Sequence, residues 1–262
     1  MEHDQEIPAV PRPTRMTTPG RATPGAAVQL SARNRLAVLP EPRHWFSVVL
    51  PLFLIVLALG ILAKAVPSFS TTEFGVDQTL SQHHVPVLNS LAKGLEFLFG
   101  PAFGALLVVL IGLFLFFVRR SPVNALAFVL VACSGWVVSE VFKLIIARQR
   151  PDQSLLFDPL SPETGSNSFP SGHTSFAVAL ALACYFLARQ TRWKIPVACL
   201  AVVIPLLVGW SRLYIGVHYP TDVIAAILAT LATVTLFAVL WNRFAGRLLG
   251  GLPIFADLRV QR

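Results

Sequence analysis

Seven ionisable side chains stand inside or at the ends of long apolar runs: Glu140, Lys143, Arg150, His173, Arg212, His218 and Asp222. Charge at membrane depth is costly, and such residues mark a functional site by default. Lys143, Arg150 and Arg212 are cations suited to phosphoryl transfer, which needs positive donors around the equatorial oxygens of a phosphate as charge develops on them. Pro170, Ser171, Gly172 and His173 add a glycine and open backbone amides at a helix N-terminus, a ready anion site. His218 and Asp222 are four apart, on one face of a helix that Pro220 can help initiate. At that spacing the carboxylate can hold one ring nitrogen and leave the other as nucleophile, the orienting logic of a triad with histidine attacking. His173 is then available as general acid on the leaving oxygen. No carboxylate cluster suited to magnesium stands nearby, so the chemistry is expected to need neither metal nor other cofactor.

Positioning this set calls for a membrane-embedded frame, and the composition agrees. Charged residues make up 13% of the 262 and the set AVILMFWYC 55%, with mean hydropathy +0.67; an ordinary soluble domain carries about 25% charge. Such a chain has too little polar surface to cover a water-soluble globule. Six apolar runs read as spans, at residues 45–66, 98–118, 123–146, 174–188, 195–215 and 222–241, since crossing the hydrocarbon takes about 20 residues. The fourth is short, and Pro205 in the fifth predicts a kink or an opened backbone. The first run is too long, and the charged region before it too extended, for a signal peptide. Between the first two runs, Val87, Leu88, Leu91 and Leu95 recur at helical spacing, with Asn89, Lys93 and Glu96 elsewhere on the helix, which suggests a segment lying in the interface. The expected fold is therefore all-α: a polytopic bundle of six transmembrane helices with short interfacial helices in the first outer loop. Residues 1–44, rich in proline and arginine, read as a disordered tail. Residues 45–241 form the membrane domain, and 242–262 a basic C-terminal tail.

The basic residues orient the frame. Of 21 lysines and arginines, 15 fall in the N-terminal tail, the second-to-third and fourth-to-fifth connections and the C-terminus, which places both termini in the cytoplasm of a cell-membrane protein. The ends of odd runs and starts of even runs then meet on the extracytoplasmic side. Three loops bring Lys143, Arg150, His173, Arg212, His218 and Asp222 to that one face. The net charge of +8 is thus mostly topological. No basic stripe with interleaved aromatics suggests nucleic acid as a partner, and nothing in the sequence fixes an oligomeric state.

Lys143 to Pro151 reads K-x6-R-P, residues 170–173 read P-S-G-H, and Ser211 to Asp222 reads S-R-x5-H-x3-D. Together these resemble the three-part signature of the type 2 phosphatidic acid phosphatase superfamily, whose members include lipid phosphate phosphatases and vanadium haloperoxidases. The resemblance covers about residues 45–241. It implies that Lys143, Arg150 and Arg212 hold the phosphate, helped by the Ser171 hydroxyl and the Gly172 amide. His218 becomes phosphohistidine, Asp222 orients it, and His173 protonates the leaving group and then activates water. The substrates implied are phosphatidic acid, phosphatidylglycerol phosphate or undecaprenyl pyrophosphate, a phospholipid or polyprenyl phosphate held in the membrane. A phosphotransferase using the same intermediate is the nearest alternative. A haloperoxidase conflicts with the spans, and a transporter has no need of a histidine and aspartate beside a phosphate cradle.

Other residues carry blander expectations. Glu140 pairs with Lys143. Arg148 is a solvated or lipid-headgroup contact, and His83 and His84 are solvated at the interface. Cys133, Cys184 and Cys199 are core packing. Leu155, Leu156 and Phe157 form an apolar lip beside the site.

Overall fold

The computed structural model describes residues 34–161, 165 and 167–258. Among the described residues eight α-helices follow one another: α1 Trp45–Ala65, α2 Pro67–Ser81, α3 Pro86–Phe99, α4 Pro101–Leu113, α5 Pro122–Ile146, α6 Gly172–Ala188, α7 Lys194–Ile215 and α8 Pro220–Leu248. The spans α1, α4, α5, α7 and α8 are long and apolar enough to cross a membrane, α4 being extended to Val118 by a π-turn, and α6 is a shorter apolar helix. A helix stands at each of the six expected spans, five of them of full spanning length, and helices α2 and α3 fill the connection between the first two. Pro67, Pro86, Pro101, Pro122 and Pro220 each open a helix at its first position, where the missing N–H costs nothing and the fixed φ is already helical. Helix α7 runs on past Pro205 as one element.

Helix α6, which begins at Gly172, packs between α5 and α7 and also against α8. The approach of α5 depends on Gly135, where a Cβ would lie 2.4 Å from the Ser175 carbonyl oxygen. Small residues let membrane helices come close enough for dispersion to hold them. Left-handed residues end two spans beside the site, Ala147 after α5 and Gly216 after α7. Each reverses the chain sharply at one membrane face.

Several expectations need correction. The tail does not remain free up to residue 44: Leu36 and Leu39 are buried against the bundle. The Leu36 amide donates to Asn124 Oδ1 at 2.8 Å, Trp241 Nε1 donates to the Leu36 carbonyl at 3.0 Å, and Asn242 bonds both backbone groups of Leu39. Side-chain amides and an indole thus take up backbone groups that docking would otherwise strand. Residues 1–33, the rest of that tail, lie outside the described residues. At the other end α8 runs to Leu248, past residue 241, and Leu258 is buried. Of the expected lip, Leu155 and Phe157 are exposed, but Leu156 is buried against Gly216. His84 is not solvated: its ring lies tilted against Tyr214, centroids 4.4 Å apart, and its nitrogens face Asp158 and the Tyr214 carbonyl. Cys133 and Cys184 pack on the core, whereas Cys199 is exposed.

Candidate active site

Two helix starts and two helix ends converge on one face. Ser171 caps α6, accepting from the Thr174 amide at 3.5 Å, and the Ser171 amide donates to the Asp222 carbonyl at 3.1 Å. The start of α6 is thereby tied to the start of α8. On α8, Asp222 sits at the third helical position and reaches back to accept the Tyr219 amide at 3.0 Å. This fixes the carboxylate beside His218, whose Nδ1 lies 3.3 Å from Asp222 Oδ2. With Nδ1 facing a carboxylate, the network assigns the proton to Nδ1 and leaves the lone pair on Nε2. Nε2 in turn lies 3.3 Å from Arg150 Nη1, which also donates to the Val217 carbonyl at 3.0 Å.

The remaining sequence-selected residues gather around His173. A Cβ at Gly172 would stand 3.4 Å from Lys143 Nζ, and one at Gly100 would stand 3.6 Å from His173 Nε2. Electrostatically, His173 faces Arg212, His218, Arg150 and Lys143. Arg212 is fully buried and donates from Nη1 to Glu96 at 3.3 Å. Lys143 pairs with Glu140 at 2.7 Å, as expected. The Ser171 hydroxyl is turned onto the α6 cap, where Thr174 Oγ1 also donates to it at 3.1 Å. All eight residues named as site candidates thus lie at the two helix starts, the two helix ends and the loop that follows α5.

Four residues were missed. Glu96 on α3 meets Arg212. Arg148 is not a headgroup contact but buried at 3% exposure, bonded from Nη1 to Asp222 Oδ1 and from Nη2 to Glu73 Oε2, each at 2.8 Å. Its guanidinium also lies 3.7 Å from the centre of the Tyr219 ring. Glu73 and Asp77, four apart on α2, complete this buried group. Burial, with Asp222 and Glu73 alongside, outweighs the attraction of Arg148 and pushes the Asp77 carboxyl up to about 9. Burial likewise raises the Tyr219 phenol above its ordinary range. In the loop after α5, hydrogen bonds from Ser154 lower the Asp152 carboxyl.

Residues 124–245 match the model of the PAP2 superfamily. Phosphatidylglycerophosphatase B of Bacillus subtilis is 37% identical over 182 residues, which cover 66% of this chain and 83% of that protein. Undecaprenyl-diphosphatase BcrC of the same organism is 30% identical over 179 residues, covering 68% and 84%. Among solved structures, a transmembrane PAP2 type phosphatidylglycerolphosphate phosphatase from Bacillus subtilis superposes with a TM-score of 0.62 at 30% identity, covering 77% of this chain and 97% of that one.

Proposed function

The chain belongs to the PAP2 superfamily as a multi-pass membrane lipid phosphatase, and from that premise we propose that it hydrolyses a lipid phosphomonoester or pyrophosphate through a phosphohistidine at His218. The observation that carries this reading is His218 held between Asp222 on Nδ1 and Arg150 on Nε2. Nε2 attacks phosphorus while the bond from phosphorus to the lipid oxygen breaks, and His173 delivers its proton to that oxygen. His173 then takes a proton from water, whose oxygen displaces His218 and releases inorganic phosphate. General acid–base assistance of this kind contributes about 10²- to 10⁴-fold. Lys143, Arg150, Arg212 and the Gly172 amide take the growing charge on the equatorial oxygens, so no metal is called for. The imidazole gains positive character as it bonds to phosphorus, and the Asp222 carboxylate offsets it.

Phosphatidylglycerol phosphate and undecaprenyl pyrophosphate are the substrates we favour, on the names of the two relatives. The chain's geometry supports a substrate whose tail stays in the bilayer. An apolar cleft of about 280 Å³ between α6 and α7 runs from Phe99, next to Gly100, past Ala177, Leu180 and Ile204. The bias of basic residues supports cytoplasmic termini and an extracytoplasmic site. Phosphate release by the purified protein, measured over a panel of lipid phosphates in chelator, tests the reading. Turnover in chelator that is abolished by His218→Ala is expected. Full activity of that variant overturns the nucleophile, and loss of native activity in chelator overturns metal independence.

A further inference from the structure

We infer that Arg148, clamped by Glu73, is a positioning residue for the reaction: it fixes Asp222, and through it the tautomer and aim of His218. This rests on the nucleophile assigned above and adds two residues that lie outside the phosphate cradle. The guanidinium uses both of its terminal nitrogens. Nη1 donates to Asp222 Oδ1 and Thr221 Oγ1, and Nη2 to Glu73 Oε2 and Ser70 Oγ, all at 2.8 Å. Glu73 then closes the ring. Its Oε1 accepts the Thr221 amide and its Oε2 the Thr221 hydroxyl, both at 2.8 Å. A carboxylate from α2 therefore caps the first turn of α8, where orphan amides favour an anion.

The consequence is a rigid path from the outer-loop helix to the nucleophile. Asp222 spends Oδ2 on the Tyr219 amide and His218, and Oδ1 on Arg148. Without Arg148 its carboxylate has lost the charge-assisted bond that fixes its plane. Charge-assisted contacts of this kind are strong, and a lysine has no pair of planar nitrogens to bridge the two carboxylates. Glu73 has a second effect. A lone guanidinium on Asp222 draws off the negative charge that supports the cationic imidazole, and Glu73 returns a negative charge to the group. Arg148 and Glu73 are therefore expected to act on His218 with opposite electrostatic sign. The charged and titratable groups facing the His218–Asp222 pair are Glu73 and Asp77 from α2, Arg148 and Arg150 from the loop after α5, His173 from α6, and Tyr219, with Lys143 from α5 and Arg212 from α7 behind them facing His173.

The test compares R148M, R148K and E73Q with the native enzyme and H218A, by phosphate release across pH with kcat and KM separated. Partners that orient a reacting side chain commonly govern 10- to 100-fold in activity. We expect kcat to fall about 100-fold in R148M and about 10-fold in E73Q, with KM within threefold and R148K intermediate. The acid limb of kcat/KM, which reports groups of the free enzyme, should move to higher pH in R148M and to lower pH in E73Q. Native kcat and an unmoved limb in E73Q overturn the inference, as does a rise in KM alone, which makes Arg148 a phosphate ligand. If R148M does not fold, R148K and E73Q decide it alone. H218A separates the two levels: its inactivity beside a native-like E73Q removes the positioning role and keeps the nucleophile, whereas its full activity removes the nucleophile itself.

Discussion

Replacing Asp77 by asparagine should stabilise the protein, and by more as the pH rises. Asp77 is fully buried, and neither carboxyl oxygen has a hydrogen-bond partner. Its carboxyl is raised from 3.8 to about 9, so the folded protein holds a proton there that the unfolded chain gives up. A raised acid makes the folded state bind more protons than the unfolded one, and stability then falls with rising pH between the two values, here from about pH 4 to pH 9. Each unit is worth about 1.4 kcal/mol, so retaining the proton costs on the order of 4 kcal/mol at pH 7 and under 2 kcal/mol at pH 5. Asparagine has the shape of the protonated acid and no such cost. For a chain of this size 1 kcal/mol moves the melting temperature by about 2–4 °C. Thermal unfolding in detergent should therefore show D77N melting roughly 10 °C above the native protein at pH 7, a gap about a third as large at pH 5. The other titrating groups shift both proteins alike, so the difference isolates Asp77. Parallel melting curves from pH 5 to pH 8, or a gap that narrows as pH rises, would refute the proton on Asp77.

Three further variants probe the frame. Gly172→Ala places a methyl 3.4 Å from Lys143 Nζ, where phosphate must approach the α6 amide; kcat/KM should fall about tenfold, or 1.4 kcal/mol, with unchanged melting, and native kinetics would remove Gly172 from the cradle. Gly216→Ala should destabilise by about 1–3 kcal/mol, because Gly216 has φ +79° and the new Cβ would meet Leu156 Cδ1 at 2.3 Å. A native melting temperature would show that Leu156 and the turn yield freely. Leu155→Ser with Phe157→Ser strips the exposed apolar lip and should lower activity on long-chain lipids more than on short-chain ones. An unchanged ratio of the two removes the lip.

What could be read from the sequence depended on where the information sat. The spans were legible because six apolar runs have only one physical use. The site residues were legible because each lies within a short motif at a helix boundary, and alternation of spans across the bilayer fixes which boundaries meet. Glu73, Asp77 and Glu96 were not, because acids in the polar connection between the first two spans look solvated until a helix turns them inward. Glu73 stands 148 residues from the Thr221 it caps, and no local spacing encodes such a pairing. Arg148 resembled a headgroup contact for the same reason. The left-handed turn at Ala147 and the bridge between Gln149 and Asn167 fold that segment back over the bundle, and this converts a boundary cation into a buried one. Leu36 and Leu39 read as stray apolar residues in a tail. Their partners Asn124, Trp241 and Asn242 lie at the ends of α5 and α8 away from the candidate site.

The most direct test of the central claim is to trap the intermediate. The purified protein is mixed with a lipid phosphate bearing labelled phosphorus, quenched in alkali during turnover, and digested for peptide mapping. A phosphohistidine mechanism predicts label on the peptide carrying His218, absent from His218→Ala and accumulating further in His173→Ala if the second step slows more than the first. Turnover with no covalent label at any quench time, or label that persists in His218→Ala, would contradict it.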